Sequence, residues 1–215
     1  MNRLEELLHD LCRNGVPRMK ICDIATEMFR GAGIKREDLS ETGVPCIRYG
    51  EIYTTYGVYF DKCLSHVPPE KVTSKKTLRK NDLLFAITGE SVADIGKCTA
   101  YIGEEEGFVG GDILVVRHNQ NPKYLSYALS TSDAIRQKGR GMVKNKVVHA
   151  SAASIGSIEI PVPPLEVQDE IVRILDDFTE LTADLAAELT AELTARKKQY
   201  EFYKEMLLSF GNIKQ

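Results

Sequence analysis

The chain has 215 residues, 43% of them hydrophobic, with 28 Lys and Arg against 31 Asp and Glu and a net charge of −3. This composition suits one packed domain with an appendage and excludes a disordered chain. The longest apolar runs, such as Ile113–Val116, fall far short of the ~20 residues that cross a bilayer, and residues 1–14 lack a signal-peptide pattern, so a cytoplasmic protein is expected.

Leu4, Leu7, Leu8 and Leu11 recur at helical spacing, and Asn14–Gly15 then stops the run, so residues 1–15 are expected to hold a short helix. From there to residue 163 the pattern is strand-rich. Residues 45–49, 52–53, 82–88, 97–102, 107–109 and 112–117 read as strand material, each run followed by glycine or polar punctuation. Asn121–Pro122 opens a helix through Leu129, and Ile135 belongs to a second short one. The region 16–163 is therefore expected to be one α+β domain.

Pro161-Val-Pro-Pro164 breaks the pattern. From Leu165 to Phe210 there is no proline or glycine, and Leu175, Phe178, Leu181, Leu185, Leu189, Leu193, Tyr200 and Tyr203 fall on an apolar stripe. This predicts one long coiled-coil helix over 164–211, roughly 65–70 Å at 1.5 Å per residue. The distal half of such a helix outreaches its own domain, so its seam is expected to need a helix from another chain.

Charge is unevenly distributed. Residues 17–160 hold 20 basic and 17 acidic residues, whereas 161–215 hold 6 and 11. The basic residues gather in loops: Arg30, Lys35 and Arg36 around Gly31 and Gly33; Lys71, Lys75, Lys76, Arg79 and Lys80; and Arg136, Lys138, Arg140, Lys144 and Lys146 with no acid between Asp133 and Glu159. Arg48–Tyr49 adds a guanidinium beside an aromatic ring. Arg and Lys neutralise phosphates, and Arg also reads guanine edges, so double-stranded DNA is the expected ligand. Solvated loops account for each cluster taken singly; three in one domain favour DNA.

Other chemistries find no motif. There is no phosphate-binding GxxxxGK[ST], no glycine-rich cofactor turn after a strand and no GxSxG. Five cysteines without a CxxC and four scattered histidines match no zinc spacing. No catalytic residue, metal or cofactor is expected.

Residues 158–176, Ile-Glu-Ile-Pro-Val-Pro-Pro-Leu-Glu-Val-Gln-Asp-Glu-Ile-Val-Arg-Ile-Leu-Asp, resemble the junction that opens the spacer helix in specificity subunits of type I restriction–modification systems. Residues 192–203 and 207–210 are similar to the end of that helix, 8–16 to the family's opening, and 47–53 and 82–85 to segments of its recognition domains. The resemblance implies a target-recognition domain, a spacer helix and no catalysis. It implies assembly with methyltransferase subunits and a restriction and translocase subunit. Full-length members carry two recognition domains and two spacer helices; this chain resembles a half-length form with one of each. Pairing as a homodimer through the helix would then present two inverted readers to a palindromic split target. Pairing with a different specificity chain, a coiled-coil adaptor with inert loops, and an enzyme are the competing readings.

Overall fold

The computed structural model describes residues 3–72, 76–89, 95–138 and 148–209. In chain order its elements are α1 (Arg3–Leu11), β1 (Arg18–Lys20), α2 (Ile21–Ile24), β2 (Ala25–Arg30), β3 (Val44–Ile47), α3 (Tyr49–Thr54), β4 (Tyr59–Phe60), β5 (Ser65–Val67) and β6 (Thr77–Leu78). There follow β7 (Leu83–Ala86), β8 (Thr88–Gly89), β9 (Cys98–Tyr101), β10 (Gly107–Val109), β11 (Ile113–His118), α4 (Pro122–Leu129) and α5 (Ser132–Lys138). The last are β12 (Val148–His149), α6 (Ala152–Gly156), β13 (Glu159–Pro161) and α7 (Leu165–Leu208). This is the α+β architecture with a long C-terminal helix read from the sequence.

Two larger sheets and the two-stranded pairs β1–β13 and β8–β12 build the globular unit, which spans residues 1–170. A five-stranded sheet runs in the order β2-β11-β7-β9-β4, and a four-stranded sheet in the order β5-β3-β10-β6. The pairs β3–β10 and β4–β9 are parallel, and the other pairs within these two sheets are antiparallel. Every residue of β7 and β9 is buried. That explains why Leu83-Leu-Phe-Ala86 reads as an unbroken apolar run: a strand covered on both faces has no solvent side to mark with polar residues. Leu84 and Ala86 join Ile113, Val115, Ile47, Ile52, Tyr56 and Phe60 in the main core. Helix α3 packs on β7, and α4 packs on β9 and β7.

One expectation is corrected here. Ile52 and Tyr53 lie in helix α3, not in a strand. The Glu51 carboxylate accepts a 2.7 Å hydrogen bond from the Arg48 backbone N–H, which satisfies a donor at the helix start. The helix then sends Ile52 into the core.

The proline junction is strapped down. β13 pairs antiparallel with β1, setting Arg18 opposite Pro161, and the Val162 N–H donates to the Pro17 carbonyl at 2.9 Å. Arg18 donates from Nη2 to both Asp133 (2.7 Å) and the Glu159 carbonyl (2.8 Å). The remainder of α7, from Ile171 onward, belongs to a second unit. There Phe178, Leu181, Leu185, Leu189, Leu193, Tyr200 and Tyr203 are all exposed, and Leu175 is partly so.

Candidate nucleic-acid interface

Three chain segments meet at one end of the two sheets. The Gly31 N–H donates to the Ile113 carbonyl (3.0 Å), the Ala32 N–H to Val109 (2.9 Å) and the Gly110 N–H to Ile47 (2.8 Å). These bonds join the end of β2, the turn between β10 and β11, and the step from β3 into α3. The approach is so close that a Cβ on Gly31 would stand 2.3 Å from the Gly110 carbonyl oxygen, so only glycine fits.

The result is a cleft of about 450 Å³ lined by Arg30, Arg48, Tyr49, Asp112 and glycine backbone. Arg30 stands at its rim with its side chain 60% exposed. Its Nε–H donates to the Gly111 carbonyl, and its Nη2 donates to Asp112 Oδ1 at 2.5 Å. Tyr49 is partly exposed and meets the Tyr53 ring edge-on, with centroids 6.4 Å apart. Tyr53 in turn donates its hydroxyl to the Thr88 carbonyl at 3.0 Å. Arg30 and the adjacent Arg48–Tyr49 pair, from separate chain segments, thus line one concavity on a braced frame.

The other residues singled out in the sequence are placed differently. Lys35 is exposed beside Glu37 (3.6 Å) and does not line the cleft. Lys76 lies with its ammonium 5.2 Å from the centroid of the Phe29 ring, where Arg117 also packs at 4.9 Å. Lys75, Arg140, Lys144 and Lys146 lie outside the described residues.

Lys138 departs from the surface role read into its charge. It is buried, and its Nζ donates to the Leu129 carbonyl at 2.9 Å, at the C-terminus of α4. Burial pushes its pKa down. A cation there satisfies an orphan carbonyl and complements the helix dipole, so in this structure it serves the fold.

Sequence reasoning missed Asp112 and the paired Gly110–Gly111. Asp112 reads as the start of a strand, and its contact with Arg30 crosses 82 positions of sequence. The signal available was the Gly-Gly-Asp turn itself.

Among the described residues no group of His, Cys, Asp and Glu is disposed to hold a metal ion, and no helix is long and apolar enough to cross a membrane. Burial pushes the Cys46, Cys63 and Cys98 thiols up to about 12, so these three are protonated at neutral pH and offer no nucleophile.

Comparison with known proteins places this architecture. Residues 18–195 match the family model of the type I restriction modification DNA specificity domain. A putative type I restriction enzyme specificity subunit of Haemophilus influenzae is 51% identical over 183 residues, covering 83% of this chain and 44% of that protein. The S subunit of a type I restriction–modification system from M. genitalium shares the fold, with a TM-score of 0.51 at 15% identity, over 92% of this chain and 48% of that one. The HsdS subunit from Thermoanaerobacter tengcongensis does so with a TM-score of 0.54 at 15% identity, over 85% and 43%. The chain spans less than half the length of each of these relatives. A family match across most of the chain, on a strand-rich domain followed by a long helix, shows that this protein belongs to the type I restriction–modification DNA specificity family.

Proposed function

We propose that this chain is the target-reading component of a type I restriction–modification system, that it binds double-stranded DNA through the Arg30–Arg48–Tyr49 cleft, and that it performs no catalysis itself. The observation that carries this is the convergence of those three side chains on one cleft in a member of a DNA specificity family. Arginines supply charge for phosphates and forks for base edges, and a partly exposed tyrosine supplies a stacking or packing face. Methyltransferase subunits and a restriction and translocase subunit are the partners that supply the chemistry, in the cytoplasm.

The helix defines the assembly. Seven large side chains from Phe178 to Tyr203 are exposed along the stripe. The hydroxyls of Thr179, Thr182, Thr190 and Thr194 donate to carbonyls four residues back, so they ask nothing of a partner. Ala186 flanks the leucine stripe and lets another backbone come close, while Ala187, Ala191 and Ala195 fall on the opposite face of the helix. A second copy of this chain is the proposed partner, giving an inverted pair of readers and a palindromic split target, with half-sites about 10 bp apart as in the usual dimer geometry.

The test is DNA binding by the full chain with its methyltransferase subunits, measured across a salt series. Replacing Arg48 and Tyr49 by alanine together should weaken binding at least about tenfold and flatten the salt dependence by about one unit of slope. Unchanged affinity in a folded double variant would remove the cleft from the DNA path. Selection of an asymmetric split site would end the homodimer model.

A further inference from the structure

The geometry points to Arg30 as a guanine-reading side chain, presented to a base edge by a brace made of Asp112 and the Gly111 carbonyl. This rests on the DNA-reading function proposed above and adds to it a division of labour between base and phosphate contacts.

A guanidinium carries five N–H groups in a plane. In Arg30, Nε–H is taken by the Gly111 carbonyl and one Nη2 N–H by Asp112 Oδ1. Both acceptors bind the same edge of the plane. What remains is the end of the group: the two Nη1 hydrogens and the outer Nη2 hydrogen. Two of these point outward in parallel, and guanine presents O6 and N7 as a matching pair of acceptors in the major groove. Among the described residues, the brace leaves free the fork that guanine needs.

The brace also stands on a rigid frame. Gly31 follows Arg30 directly and is locked against Gly110 too tightly for any side chain. The Gly31 N–H bonds to Ile113, just past Asp112. The Cα of Arg30 and both of its acceptors are therefore fixed to the same stitched strands. Holding a long, rotamer-rich side chain in one geometry before binding favours reading over mere attraction.

Asp112 separates the two possible roles. A phosphate oxygen placed at the Arg30 fork would sit a few ångströms from a carboxylate, and like charges at that range repel. A guanine edge is neutral and meets no such penalty. An arginine meant only for phosphate gains nothing from the carboxylate beside it.

The experiment is selection from randomised duplex DNA by the full chain with its methyltransferase subunits, with Arg30→Ala, Arg30→Lys and Asp112→Asn beside the wild type. The wild type should select a motif containing a guanine that becomes degenerate in Arg30→Ala and Arg30→Lys, and partly so in Asp112→Asn. Affinity for the selected site should fall on the order of 10- to 100-fold in Arg30→Ala, with little change on random DNA. Placing 7-deazaguanine at that position should cost the wild type a similar factor and cost Arg30→Ala almost nothing. Arg30→Lys keeps the charge and the strand end but lacks the fork, so it holds the test open if the alanine variant folds poorly. A uniform loss on all sequences, with a salt slope smaller by about one, would make Arg30 a phosphate contact and overturn the inference while leaving the DNA-reading function intact. A folded wild type that selects no motif would sink the reading function itself.

Discussion

Asn121 and Gln168 lie 47 residues apart and meet in a 3.0 Å hydrogen bond, from the Asn121 backbone N–H to the Gln168 side-chain oxygen. Gln168 is fully buried, and its amide nitrogen donates to the Pro163 carbonyl (2.8 Å) and the Gln120 side-chain oxygen (2.7 Å). Asn121 caps α4 by accepting from the Tyr124 N–H at 3.0 Å, and its own amide reaches Asp169 at 2.7 Å. The glutamine of Pro163-Pro-Leu-Glu-Val-Gln168 thus ties the start of α7 to the start of α4. Gln168→Ala strips three partners at once inside a buried site. It should destabilise the protein by about 2–4 kcal/mol, seen as a lower midpoint in denaturant with unchanged slope. A loss under about 0.5 kcal/mol would mean the network is not load-sharing.

His118 sets a pH limit on stability. Its ring is buried, Nδ1 accepts from the Gln120 N–H at 3.1 Å, and Nε2 has no hydrogen-bond partner among the described residues. Burial lowers its pKa from 6.5 to about 4. The folded pKa lies below the unfolded one, so the unfolded chain takes up the proton first. The contribution is fully present above pH 6.5 and is lost as pH falls toward 4. Between pH 7 and pH 5 the wild type should lose about 2 kcal/mol from this group. In His118→Gln, which does not titrate, denaturation across the same range should lack that component. Equal pH slopes in the two proteins would rule it out.

The sequence disclosed elements whose signal is local. Asn121–Pro122 opens α4, as a side-chain acceptor followed by a residue without an N–H should. The runs read as strand material at 82–88, 97–102 and 112–117 hold β7, β9 and most of β11 of the five-stranded sheet. What depended on distant partners stayed hidden. Glu51 turns Tyr49–Thr54 into a helix where the aromatic and β-branched residues suggested a strand. Lys138 looked like one of a run of surface charges until the fold placed it beneath the end of α4. Arg30 and Arg48 were legible as basic residues, but their common cleft comes from the pairing of β3 with β10 and of β2 with β11.

The buried Asp82 and the partly buried Arg117 form a pair whose value lies in its completeness. Asp82 Oδ1 accepts from Arg117 Nε at 3.2 Å, and Oδ2 accepts from the Arg79 N–H at 2.9 Å. Arg117 also donates to the Thr77 carbonyl (2.9 Å) and to Glu27 (2.6 Å). Burial raises the Asp82 pKa against the opposing pull of its hydrogen bonds and Arg117. Asp82→Ala should cost about 1.5–3 kcal/mol, because it strips the part-buried Arg117 guanidinium of its buried carboxylate and the Arg79 N–H of its acceptor. Asp82→Leu combined with Arg117→Met should cost clearly less than the sum of the single changes, since the double replacement removes both desolvation penalties. Additive losses in the four-member cycle would show that the two side chains act independently.

The leucines of α7 carry the last prediction. Phe178, Leu181, Leu185 and Leu189 step by three, four and four, an eleven-residue period of 3.67 per turn. That period sits close to the natural helix, so paired helices should run nearly straight here rather than wind into a left-handed coil. Isolated helices lean on packing for most of their stability, and the exposed leucine side chains are each worth roughly 1.5–3 kcal/mol if fully buried. Leu185→Asp with Leu189→Asp should therefore raise the dissociation constant of the pair by more than about 100-fold in sedimentation equilibrium, because a two-fold assembly feels each substitution twice. The helical circular-dichroism signal should drop with it, while the strand signal of the globular unit persists. A wild-type chain that sediments as a monomer at every concentration, alone and with methyltransferase subunits, would reject self-pairing. The same result with a helical signal at full strength would require another partner to cover the stripe.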